Sequence, residues 1–472
     1  MIIDQLKTSD ISPTKIQVFL VISIILSLPT IVLGEKIFFA LPVLIIIILS
    51  FIWGERFIIA LIIISLFTLI GELNRSLRTV VQLVDFTLLG ILFLKRFGLN
   101  LDSYPRIPKS VLYFLILYFS AMIISAVMSN YPFAGIGLIT RQIVFFIIVY
   151  VFYSLISSVR DIKLYFTSIY IVACILVTFS LLAFFQGDVS LLDVLSPNRP
   201  RVSAIMSNIE SSTNFFVVSF PLILSTLLLK RKFADKATNY FLIFYFSLGL
   251  IIMMSRSAII GIIVSTAIIF YLLNRKRFYQ LLFSITLIVL LFVLYTPLNE
   301  LLTTLLRIES GMSARDYVWK MSIDMIKDNT IFGIGPGAYQ NEMLNYFPYM
   351  LNDWWGKIFI YYQEVTDGAN LSHNFFLTFF TDLGILGILT AITLPVVYFR
   401  IGIKTIRKYK NGSPETYYLI IALFAAGISV IVRNLFNSIG LIYVGGIHTD
   451  LPFWIIFSSL IYFYRAPYKL HA

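Results

Sequence analysis

The stretch VLYFLILYFSAMIISAVM, residues 111–128, decides the fold class: an unbroken apolar run without a single charge. A helix rises about 1.5 Å per residue, so such a run covers most of the roughly 30 Å hydrocarbon core of a bilayer. Similar runs occur at Ile37–Trp53 and Leu281–Tyr295, and further ones recur along the whole chain. Of the 472 residues 59% are hydrophobic and 13% charged, against about 45–50% and about 25% in soluble domains, which excludes an ordinary soluble protein. The expectation is an all-α integral membrane protein with about 12–14 transmembrane helices and a large, partly helical outer loop. The candidate spans lie near 17–34, 37–53, 57–71, 79–94, 110–129, 142–157, 163–185, 213–230, 238–254, 257–273, 279–296, 374–399, 416–436 and 451–464. Residues 1–16 are polar and no small-residue cleavage site follows the first apolar block, so that block is expected to stay as an anchor.

The net charge of +12 comes from 36 basic and 24 acidic residues. In a soluble chain this excess raises the question of nucleic acid; in a membrane chain it first reports orientation. With both termini in the cytoplasm, Lys95 and Arg96, Lys230-Arg231-Lys232, Arg275-Lys276-Arg277 and the stretch Arg400 to Lys410 all fall on the cytoplasmic side, and the inverted topology strands them outside. The chain then divides into N-terminal helices (1–185), central helices with arginine motifs (186–296), a large extracytoplasmic loop (297–372) and C-terminal helices (373–472). The loop is far longer than a usual connection, and Trp319, Trp354, Trp355 and an amphipathic stretch with Trp319, Ile323 and Ile326 on one face mark it as folded. A single cysteine, Cys174, excludes an intramolecular disulfide, and His373, His448 and His471 do not stand at zinc-ligand spacing.

On the outer side of this threading Arg outnumbers Lys, and the reverse holds inside. Arginine grips phosphate with a rigid, permanently charged fork, although interfacial arginines also snorkel to lipid headgroups. Arg199 and Arg201 lie in Ser196-Pro-Asn-Arg-Pro-Arg201 and Arg256 in Met254-Ser-Arg-Ser257. Arg315 follows Ser313, a potential helix cap, so it stands in a helical first turn where free N–H groups favour an anion; pairing with Asp316 or Glu309 is the alternative. His373 precedes a membrane helix, whose N-terminal dipole favours the neutral imidazole a general base needs, or it is an amphipathic interface anchor. The run Phe332-Gly-Ile-Gly-Pro-Gly-Ala338 lacks the lysine of a nucleotide loop and reads as a tight turn. Asp85 and Asp382 lie within spans and Arg433 near the outer end of one; intramembrane ionisable groups are functional candidates.

Taken in order, the arginine segment, Ser255-Arg-Ser-Ala-Ile-Ile-Gly261, Ala314-Arg-Asp-Tyr-Val-Trp319, Ile331-Phe-Gly-Ile-Gly-Pro-Gly-Ala-Tyr339, Ser372-His-Asn374 and Leu383-Gly-Ile-Leu-Gly387 resemble the bacterial O-antigen ligase and O-antigen polymerase superfamily of membrane glycosyltransferases, over about residues 196–400. The resemblance implies a metal-independent, inverting transfer of glycan from an undecaprenyl-diphosphate donor to a sugar hydroxyl at the outer face of the bacterial cytoplasmic membrane. It needs no cofactor and no nucleic acid; its partners are the lipid-linked donor, a glycan acceptor, the bilayer and, as a further candidate, a chain-length regulator. By motif, His373 resembles the base that activates the acceptor, Arg201, Arg256 and Arg315 the diphosphate ligands, with Arg199 and Arg433 as additional candidates. Ser257 stands where many relatives have Gly. A polymerase extending lipid-linked repeat units is favoured, a ligase delivering finished glycan to a lipid or protein is the alternative, and a flippase for lipid-linked sugars is the alternative of another class. A flippase calls for internal repeats and helices broken at the midplane, and no repeat is visible.

Overall fold

A chain crossing hydrocarbon must satisfy its backbone hydrogen bonds within each segment, and the helix does this. In the computed structural model every regular element among the described residues, 54–68, 75–98, 100–186, 209–229, 233–253, 255–294, 315–346, 372–443 and 446–467, is helical. The helices are α1 Glu55–Thr68, α2 Arg75–Phe97, α3 Lys109–Met128, α4 Pro132–Leu155, α5 Val159–Gln186, α6 Ile209–Leu228, α7 Phe233–Met253, α8 Arg256–Leu273, α9 Arg275–Leu294, α10 Arg315–Asp328, the short α11 Tyr339–Met343, α12 Phe375–Tyr409, α13 Pro414–Arg433 and α14 Ile447–Arg465. Twelve of the expected spans thus coincide with helices, and 17–34 and 37–53 lie outside the described residues. Eight of the helices, α3 to α8, α12 and α13, are long and apolar enough to cross a membrane. The chain is an all-α integral membrane protein.

At the centre stands α6. From Ser211 to Ser219 every side chain is buried, the all-round burial of a helix enclosed by others. α8 and α13 pack against it, and α8, α13 and α12 approach one another closely in turn through small residues, as membrane helices do where packing rather than water drives association. A Cβ on Gly261 of α8 would lie 2.9 Å from the Ser429 carbonyl of α13. Gly427 of α13 leaves room for Tyr398 of α12, whose hydroxyl donates to the Leu423 carbonyl at 2.7 Å. By contrast α9 presents Phe283, Ile288, Val289 and Leu290 outward, as a lipid-facing helix does.

The bundle has two unlike ends. One gathers the basic turns: Arg96 donates to the Leu155 carbonyl at 2.8 Å, Arg56 pairs with Asp161 at 2.9 Å, Arg465 bonds the Arg106 carbonyl, and Lys408 caps the carbonyls that end α14. At the other end meet the first turns of α6, α8, α12 and α14 and the last turn of α13. A small second core of Val318, Met321, Met325, Ile334, Ala338, Tyr339 and Met343 sits on this end, built by α10, the glycine turn and α11. Its buried helical stripe is Val318, Met321, Ser322 and Met325, not the expected Trp319, Ile323 and Ile326; Ile323 is 46% exposed. Two apolar stripes compete on α10, and the one facing Ile334 and Tyr339 is covered.

Candidate functional site

The glycine run forms the tight turn its sequence implies and fixes α10 to the bundle. Gly333 (φ 72°) and Gly384 (φ 62°) both occupy the left-handed region, Gly384 as a break inside α12. The two backbones touch: a Cβ on Gly333 would lie 2.4 Å from the Asp382 carbonyl, and one on Gly384 2.3 Å from the Ile331 carbonyl. The break frees carbonyls of α12, and Ile334 and Gly335 donate their N–H groups to Thr381 and Asp382, each at 3.0 Å. Beside this joint the Tyr443 hydroxyl donates to Asp382 Oδ2 at 2.6 Å and accepts from Gly337 N–H at 3.1 Å. Ser125 and Ser129 of the α3 end donate to the Asp382 and Ile334 carbonyls, both at 2.7 Å. Asp382 therefore serves this joint.

The joint puts Arg315, first residue of α10, next to the first turn of α6. There Arg315 Nη2 lies 3.8 Å from Glu210 Oε1. The other oxygen of Glu210 is crowded with donors: Arg433 Nη2 at 3.0 Å, Asn437 Nδ2 at 2.8 Å, and the hydroxyls of Ser255 and Ser257 at 3.2 Å each. Arg433 is fully buried and also bonds the Glu210 carbonyl, Asn214 Oδ1 at 3.3 Å and the Ile439 carbonyl at 3.4 Å. A buried guanidinium without a counter-ion is costly, so Arg433 and Glu210 have to come together. Ser255 and Ser257 flank Arg256, which opens α8 and is partly exposed. The serine at 257 thus supplies a hydrogen bond to the shared carboxylate.

His373 completes the group. Asn374 caps α12, accepting from Leu377 N–H at 3.0 Å, while its amide donates to the Leu435 carbonyl at 2.9 Å. Phe375 N–H donates to the Asn434 carbonyl at 3.0 Å. The segment before α12 is in this way tied to the end of α13, two residues past Arg433. His373 takes φ 48°, a left-handed conformation uncommon for a residue with a side chain and often found at functional positions. Burial, with the nearby Arg315 guanidinium adding to it and Glu210 opposing it, pushes its imidazole down to about 4. The imidazole is therefore neutral at physiological pH, with a lone pair free to accept a proton.

Of the sequence candidates, Arg256, Arg315, His373 and Arg433 gather at one bundle end, opposite the basic turns; Arg199, Arg201, Ser313, Trp354 and Trp355 lie outside the described residues. Sequence reasoning assigned no role to Glu210, which lies in the polar segment after Arg201, and did not single out Asn437. The signals were there, an acid opening an apolar helix and an amide just after a buried arginine, but neither belongs to a motif. Residues 241–392 match the family model described as O-Antigen ligase. That segment is O-antigen ligase-like. It carries Arg256, Arg315 and His373, and leaves Glu210 and Arg433 outside its limits; the matched region is narrower than the 196–400 of the expectation. No curated protein matches the chain significantly. The O-antigen ligase-like segment associates the chain with a membrane enzyme that ligates or polymerises glycans.

Proposed function

We propose that the protein is a polysaccharide polymerase of the bacterial cytoplasmic membrane, transferring glycan on its outer face from a lipid-diphosphate donor to a sugar hydroxyl. The observation that carries this reading is that His373, Arg315 and Arg256 stand before or at the first turns of α12, α10 and α8 on one bundle end. The basic turns crowd the opposite end, so the preference of Lys and Arg for the cytoplasm supports an outward-facing site.

In the reaction, the acceptor hydroxyl gives its proton to the imidazole nitrogen of His373 as its oxygen bonds to the anomeric carbon of the donor. The bond from that carbon to the diphosphate oxygen breaks, and its electron pair leaves with the lipid diphosphate. Arg256 and Arg315 hold the growing negative charge, with Arg201 as a further ligand in the expectation; this is electrostatic catalysis at the leaving group, with no call on a metal. A single displacement inverts the anomeric centre. Arg433, buried and bonded to Glu210, we assign to the frame of the site rather than to substrate.

The test is to incubate the purified protein with lipid-diphosphate-linked repeat units and no other acceptor. Chain growth with release of lipid diphosphate is the expected result. A ligase, which the description of the matched family favours, reacts only when a second acceptor is supplied, and translocation without bond formation identifies a flippase. His373→Ala and Arg256→Ala abolish product while the protein still inserts; long-chain product from His373→Ala overturns the base assignment.

A further inference from the structure

Glu210 is unevenly used. Its Oε2 receives four donors from two sides, Arg433 and Asn437 at the end of α13 and Ser255 and Ser257 at the start of α8. Four donors are more than the two lone pairs of one carboxylate oxygen accept at full strength, so Oε2 is fully committed to this frame. Its Oε1 faces Arg315 Nη2 at 3.8 Å, beyond hydrogen-bond reach but close enough for charge attraction. Both side chains keep partial exposure, 14% for Glu210 and 22% for Arg315, so the pair is neither sealed in protein nor free in water. Among the described residues the charged groups that act on His373 are these same two, Arg315 from α10 and Glu210 from α6.

We infer that Glu210 is a positioning residue: anchored to α8 and α13 through Oε2, it offers Oε1 as a place-holder anion that keeps Arg315 beside His373 and yields it to an anionic diphosphate. The inference rests on the transfer reaction proposed above. Before a diphosphate arrives the pair adds a restraint on the long side chain of Arg315. When a diphosphate arrives, its oxygens bind the guanidinium at hydrogen-bond distance, which the 3.8 Å contact does not match, and Glu210 remains held by the frame. The arrangement trades anion affinity for placement, because a fixed carboxylate beside an anion site repels the ligand while it aligns the cation.

That trade gives a readout a merely structural residue lacks. In Glu210→Gln the repelling charge is gone, so inorganic diphosphate inhibits roughly three- to tenfold more tightly, the scale set by removing one like charge near a protein surface, while kcat falls about tenfold or more because Arg315 loses the restraint that the carboxylate supplies. Loss of the counter-ion threatens the buried Arg433, so the same measurement is made on Glu210→Gln combined with Arg433→Met, which removes both buried charges, and on Arg433→Met alone, which keeps the carboxylate. Tighter diphosphate inhibition with slower turnover in the double variant, and not in Arg433→Met, is the expected pattern. Unchanged or weaker diphosphate inhibition in a well-folded double variant overturns the inference. The two readings fail separately: activity in His373→Ala defeats the proposed reaction, whereas an inactive His373→Ala together with unaltered diphosphate inhibition in the Glu210 variants defeats only the role of Glu210.

Discussion

His373 shows how far a single residue is set by its neighbours. An ordinary histidine titrates near 6.5, and a general base of that kind loses activity through the mild acid range. Here burial and Arg315 outweigh Glu210 and place the imidazole at about 4. The prediction is that kcat/KM is level from pH 8 to about pH 5 and falls only below it, as measured in a pH-rate profile; a midpoint near 6.5 contradicts the placement. The stability linkage has the same origin. Between 6.5 and about 4 the unfolded chain binds a proton that the folded site refuses, so this group's contribution is constant above 6.5 and declines as pH falls through that window. His373, Arg256 and Arg315 were legible in the sequence because each stands in a short motif. Glu210 was not, since Arg433 and Asn437 lie 223 and 227 positions from it, and no local pattern records a pairing made across the whole bundle.

At the scale of elements, the spans could be read because a membrane helix must carry its apolar length in its own sequence, and α3 to α8 do. The joint between the glycine turn and α12 could not. Its two glycine motifs are visible, but that Gly333 and Gly384 meet backbone to backbone depends on a break in α12 that only the packed structure reveals. The wrong stripe of α10 has the same cause: two apolar faces compete, and Tyr339 and Ile334, distant in sequence terms from neither, select one. Alanine at Gly333 or Gly384 meets a carbonyl at 2.4 or 2.3 Å and also adopts a left-handed conformation that disfavours a Cβ by about 1 kcal/mol. Either substitution is expected to detach α10 and its small core while the membrane helices stay assembled. Limited proteolysis of purified protein checks this: new cleavage within 315–346, with unchanged helical circular dichroism from the bundle, is the expected outcome, and an uncut outer unit contradicts it.

For the molecule as a whole, the opposition of two ends is the main result. The basic turns of α2, α5, α9, α12 and α14 share one end, and the arginine, carboxylate and histidine group occupies the other. The orientation this supports is testable in a background with Cys174→Ser. A cysteine placed at exposed Asn341 of α11 reacts with a membrane-impermeant maleimide in intact spheroplasts, whereas one at Lys410, between α12 and α13, reacts only after the membrane is opened. The reverse pattern refutes an outward-facing site. Charge and apolar length make this orientation readable from sequence, but which helix stands at the centre is not readable, because the enclosure of α6 is completed by helices distant in sequence.

The pairing of Glu210 with Arg433 also has a consequence in time. Ribosomes add about 5–20 residues per second, so the 223 positions between the two take roughly 10–45 s to synthesise. Throughout that interval the acid that opens the central helix is already made while the cation it will neutralise has not yet left the ribosome. The amino-terminal helices must therefore be held in the bilayer in a provisional assembly, with Glu210 still reaching water, and the centre of the protein can close only when α13 arrives. Quality control of a nascent chain has a clear mark to read here: a product that stops short of Arg433 leaves Glu210 without its buried counter-ion.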